Sequence, residues 1–168
     1  MKRLAGVAQQ GTVNDAGALV VQVLAGDLTL GSANNALAVQ ASGNLLLQAD
    51  ATLSVASGIS SDASVSLRSS AGDVRLGATG DITLSAQGTL DVQAQRNLVM
   101  ANVVTTVGDV SLSATLGNVT LGQVSSSTGQ VAVQAGGTVL DGDSAVDVTA
   151  KGLYVQTGLS GGVGSSTD

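Results

Sequence analysis

This 168-residue sequence predicts an all-β fold, a right-handed parallel β-helix forming one elongated domain, and three observations predict it. A unit of about eight residues recurs along the chain, apolar and polar residues alternate inside each unit, and the apolar residues are nearly all Val, Leu and Ala.

The repeat is clearest over residues 72–103, where GDVRLGAT, GDITLSAQ, GTLDVQAQ and RNLVMANV follow one another without a break. The same unit returns as GDLTLGSA (26–33), GNLLLQAD (43–50), GDVSLSAT (108–115), GNVTLGQV (117–124) and GQVAVQAG (129–136). Alternation over five or six residues marks a strand with one buried face. It places Val74, Leu76 and Ala78 inside with Asp73 and Arg75 outside, then Leu90, Val92 and Ala94 inside with Asp91 and Gln93 outside. Gly followed by Asp or Asn opens most units, and these residues suit tight turns because they tolerate positive φ. A helix is excluded by the frequency of Gly and β-branched residues and by the lack of a 3.6-residue period.

Composition separates a coil from a globule. Tyr154 is the only aromatic residue, and the chain has no Pro, Cys, His, Trp, Phe or Glu. A Val, Leu and Ala interior without aromatic bulk must be narrow, so backbones lie close and the same packing recurs. A closed barrel would be difficult to fill with these side chains. The inward residues are alike in every unit and the corners keep nearly constant phase, which favours parallel stacking over hairpins. Three units per turn give roughly 24 residues, hence roughly six turns and a stack of ~30 Å at ~4.8 Å per strand. Residues 17–158 read as the shaft, 1–16 as an N-terminal boundary segment and 159–168 as a Gly/Ser-rich C-terminal one.

Charge and hydropathy exclude several functions. The formal net charge is −6 and aromatics are nearly absent, so phosphates and unstacked bases find no partner and nucleic acid is not expected. The most apolar stretch, 16–25, is about half a membrane span and is broken by Gln22. Lys2 and Arg3 resemble the start of a signal peptide, but the apolar run after them is too short.

The octads resemble the β-helical shaft of filamentous haemagglutinin-type proteins, the giant exoproteins and adhesins of bacterial two-partner secretion. The resemblance spans residues 17–164. It rests on the GDVxLxA units and on three C-terminal pieces: Val146-Asp147-Val148-Thr149-Ala150, Leu153-Tyr154-Val155-Gln156-Thr157 and Gly161-Gly162-Val163-Gly164. It implies a shaft segment that is secreted, displayed on the bacterial cell surface and concerned with adhesion or reach. It supports the right-handed coil, as does the chirality of parallel crossovers. The partners implied are neighbouring turns of a longer parent chain and a host-cell or matrix receptor or carbohydrate. With no capping helix in the sequence, end-to-end self-association is the behaviour expected of open ends.

Reactive chemistry is sparse. Without His, Cys or Glu, neither a Ser-His-Asp nor a Cys-His set can be built, nor a zinc site of common type; no catalysis and no cofactor are expected. Paired Asp residues could still serve a polysaccharide-binding or polysaccharide-active β-helix, which is the alternative function. Asp73, Asp81 and Asp109, however, occupy equivalent turn positions and read as stacked turn residues bonding their own backbone. Asp141, Asp143 and Asp147 are the candidate metal ligands, since DGDS bends two carboxylates around a Gly; a simple acidic turn is the preferred reading there. Tyr154 points outward, Ser125-Ser126-Ser127-Thr128 reads as a loop, and the Lys and Arg residues read as solvated outward positions.

Overall fold

The computed structural model describes residues 2–4, 7–9, 13–15, 17–31, 37–77, 82–84, 88–101 and 104–164. Every strand pairing among them is parallel, and the strands form three sheets joined as a β-helix. Sheet A has eight strands, from Lys2–Leu4 to Gly152–Thr157. Sheet B has seven, from Val7–Gln9 to Val139–Asp141, and sheet C has seven, from Val13–Asp15 to Val148–Thr149. One turn runs through Val110–Ala114 in A, Val119–Leu121 in B and Val124–Ser126 in C, then re-enters A at Gln130–Ala135.

The turn is variable in length and often shorter than three full octads. Corner hydrogen bonds join equivalent residues 20, 21, 24 and 25 positions apart. The octad is too long a unit because strands in sheet B have three residues while the internal strands of sheet A have five or six. Extra residues go into corners, so strand register survives the change in turn length.

Alternation builds the core as the sequence predicts. Leu45, Val65, Leu90, Val110 and Val131 stack as one column of sheet A, and Leu47, Leu67, Val92, Leu112 and Val133 form the next. All ten are at most 2% exposed. A third column runs through Ala49, Ser69, Ala94, Ala114 and Ala135 to Thr157, smaller residues where the chain turns towards sheet B. Each fully buried Leu or Val contributes about 1.5–3 kcal/mol, and the column repeats that gain at every turn. Ile82 and Thr83 pair with Val104 and Thr105 in sheet C.

Two details differ from the sequence reading. Positive φ occurs, among the described residues, only at Gly26, Gly31 and Gly164. The recurring corner glycines are needed for space instead: a Cβ on Gly88 would stand 1.8 Å from the Ala63 carbonyl oxygen, and one on Gly129 would stand 2.5 Å from the Gly108 carbonyl carbon. The second correction concerns Ser125 and Ser126, which belong to a strand and not to a loop. Ser126 is buried and its hydroxyl donates to the Gly108 carbonyl at 2.8 Å while accepting from the Gly129 N–H at 3.0 Å. Ser61 and Thr106 end their sheet C strands in the same way, donating to Gly43 and Gly88 carbonyls at 2.9 Å.

Leu112→Asn should cost about 3 kcal/mol or more, because the amide enters a column without polar partners, whereas Ser111→Asn should stay within ~0.5 kcal/mol. Gly88→Ala should cost about 1–3 kcal/mol by forcing two turns apart. Gly162→Ala, with nothing within 4 Å of its added methyl, should cost little. Denaturant midpoints measure all four, and equal losses at positions 111 and 112 would contradict the alternation.

Candidate functional site

The polar residues that open the strands form two ladders along the corners. Before sheet B, Asp27 Oδ1 accepts the Thr52 N–H at 2.8 Å, and Asp73 Oδ1 accepts the Asn97 N–H at 3.0 Å. Asn97 Oδ1 then accepts from Asn118 at 3.0 Å, and Asn118 Oδ1 from Thr138 at 2.8 Å. Before sheet A, Asn44 Oδ1 accepts from Ser64 at 3.2 Å, the Ser64 hydroxyl from Thr89 at 3.3 Å, and Asp109 Oδ1 from Gln130 at 2.8 Å. A short side chain with a free acceptor is what this position requires, since a corner N–H has no strand partner.

These ladders correct the expected role of the turn carboxylates. Asp73 and Asp109 bond the turn above, not their own backbone, and they stand before different sheets. Asp81 lies outside the described residues. The Arg75 guanidinium, 2.7 Å from Asp73, holds that carboxyl below its ordinary range. Burial pushes the other way, and hydrogen bonds from Asn97 add to the lowering.

The acidic turn closes sheet B. Asp141 pairs with Leu121 and so occupies a core column at the last turn of sheet B. Asp143 N–H donates to Asp141 Oδ1 at 2.8 Å, and Ala145 N–H to Asp143 Oδ1 at 2.6 Å. Asp147 passes its carbonyl to the Val124 N–H at 2.7 Å. The structure thus brings Asp141, Asp143 and Asp147 together, with one oxygen of each within 4.8 Å of the others. Two of the three carboxylates shape the turn as acceptors of backbone hydrogen bonds. Beside it, Leu121, Val139, Val148, Leu153 and Val155 line an apolar cavity of about 230 Å³.

Tyr154 lies on the outer face of sheet A as expected, 53% exposed, with its hydroxyl donating to Gln156 Oε1 at 2.8 Å. Arg68, Arg75, Arg96 and Lys151 are exposed. Arg68 reaches Asp91 on the next strand of sheet A at 3.2 Å and also donates to Ser66 at 3.1 Å. Gln93 donates to both oxygens of Asp91 at 3.2 and 3.0 Å. That polar cluster was not legible as a cluster, because its members lie about one turn apart in sequence. The Arg at position 68 and the Asp at 91 become neighbours only through the strand register.

No family model, curated protein or solved structure matches this chain.

Asp73→Ala removes the acceptor for Asn97 and should cost about 1–3 kcal/mol. Asp73→Asn keeps an acceptor like that of Asn97 and loses only an ion pair whose Arg is 60% exposed, so about 0–1 kcal/mol. The lowered carboxyl stabilises the fold above its unfolded pKa, and that contribution is lost as pH falls through the folded value. Unfolding followed from neutral pH downwards should therefore show a smaller acid loss for Asp73→Asn than for the parent chain. A chelator should leave the melting temperature unchanged. A rise of several degrees in millimolar calcium would instead assign Asp141, Asp143 and Asp147 to a cation.

Proposed function

We propose that this chain is a structural and adhesive shaft segment of a large secreted bacterial surface protein, of the filamentous haemagglutinin-like kind, working without catalysis. The observation that carries the reading is the use made of its polar side chains. In a β-helix enzyme working with carboxylates alone, acidic groups must be free to take and give protons. Here Asp27, Asp73 and Asp109 hold the N–H groups of the next turn, and Asp91 is held by Arg68 and Gln93. Side chains spent in this way build length and stiffness.

A uniform stack suits reach. Each turn contacts only its neighbours, so length can grow by adding turns without redesigning a core. The resemblance of the GDVxLxA units to two-partner-secretion shafts supports secretion and display at the cell surface.

Two measurements test the proposal. Antibodies raised against residues 110–157 should label intact cells that make the parent protein, and external protease should remove the label. Labelling only after permeabilisation would contradict surface display. The purified chain should release no oligosaccharide from plant or bacterial polysaccharides; release that is lost in Asp73→Asn would contradict a passive shaft.

A further inference from the structure

We infer that the C-terminal face of the coil docks a second copy of this chain head-to-tail, the copy's first turn continuing sheets A and B. Leu153 and Val155 stand by register in the two buried columns of sheet A, directly after Val131 and Val133. Val163 bridges Val139 and so extends the matching column of sheet B. Val131, Val133 and Val139 are at most 1% exposed, whereas Leu153 is 57% and Val163 67% exposed. The apolar hollow of about 230 Å³ lies among these residues, with Leu121 and Val148. Gly152–Thr157 is the last strand of sheet A, and no strand among the described residues pairs with its outer edge.

The face sets the kind of partner. Its backbone edge calls for an extended strand laid parallel in register. Its exposed column residues lie in two sheets, so a lone peptide on the edge of sheet A would leave Val163 uncovered. A turn of coil meets both needs. The first turn of a second copy supplies Lys2–Leu4 and Val7–Gln9, the opposite edge strands of the same two sheets. By register Lys2 belongs to the column that Val155 ends. Val7 belongs to the column that Val163 ends. One layer of coil is a small interface, of the size that gives weak, reversible association.

Charge fixes the polarity. The sequence from 137 to 164 carries Asp141, Asp143 and Asp147 with Lys151 as its one cation, whereas 2–15 carries Lys2 and Arg3 with Asp15 as its one anion. Two C-terminal faces pressed together would set acid against acid. A C-terminal face on an N-terminal one sets acid against base, which draws the copies together in that order. Open ends alone would allow either pairing. A head-to-tail contact does not close on itself, so further copies add in line.

The inference stands apart from the proposed surface role, since a shaft that stays single is still a shaft. The test is sedimentation velocity of the 168-residue chain from micromolar to millimolar concentration, joined to disulfide trapping. As concentration rises the chain should grow past the dimer into elongated species. Leu153→Asp should weaken that association at least tenfold, and Lys2→Glu with Arg3→Glu at least threefold. Arg75→Ala, on the outer face of sheet B, should leave it unchanged. Circular dichroism checks that each variant keeps its fold. Lys2→Cys and Val155→Cys, made in separate chains and mixed under mild oxidation, should join to each other, while Val155→Cys alone should not join to itself. A chain that stays single up to millimolar concentration would overturn the inference. So would growth that stops at a dimer with Val155→Cys joined to itself, or growth undiminished by Leu153→Asp and by the charge reversal.

Discussion

Everything in this fold depends on one spacing: each turn must lie a single backbone hydrogen bond, about 4.8 Å, from the next. Side chains at the corners either fit that distance or are absent. Where they are absent, glycine lets the chain of one turn press against the carbonyls of another, as Gly88 does against Ala63. Where they are present, they are short acceptors that replace the missing strand bond, as Asp73, Asn97 and Asn118 do in succession. Inside, the same spacing places like residues in contact, so the columns hold Val and Leu and need no aromatic bulk. The missing aromatics and the frequent glycines are two consequences of one geometry.

This constraint also decides what the surface can do. A polar group that serves a ladder is not free for chemistry, and the two corner ladders absorb Asp27, Asp73 and Asp109. The broad outer face of sheet A has two outward positions in each five-residue strand, and sheet B has one. The wider face therefore carries two outward columns along the axis, one of them polar from Gln48 through Arg68, Gln93, Ser113 and Gln134 to Gln156. At the last turn of sheet B, Asp141 takes a column position that Leu121 holds one turn earlier, and the acidic turn follows it.

Much of the fold was legible because its signals are local and repeated. Alternation at Val74, Leu76, Leu90 and Val92 specified the buried face, and all four are buried. The closeness of Asp141, Asp143 and Asp147 was legible too, since a bent loop brings near neighbours together. What was hidden depends on which residue lies one turn away. Turn length varies, so no fixed offset links Arg68 to Asp91 or Asp73 to Asn97. The role of the corner glycines was hidden for the same reason: sequence suggests a turn conformation, and only the neighbouring turn shows the lack of room. Ser126 looked like a loop residue because its hydroxyl partner, the Gly108 carbonyl, is 18 positions earlier.

The central claim is that parallel turns stack in register, and a cysteine pair tests it most directly. The chain has no cysteine of its own, so introduced pairs report without interference. Ser111 and Ala132 are register partners on adjacent strands of sheet A, a distance within reach of a disulfide. Ser111 and Thr120 belong to consecutive strands that an antiparallel hairpin would set face to face, but here they sit in different sheets. On mild oxidation, Ser111→Cys with Ala132→Cys should cross-link fully without loss of stability, and Ser111→Cys with Thr120→Cys should not. Cross-linking of the 111–120 pair with none of the 111–132 pair would contradict the parallel coil.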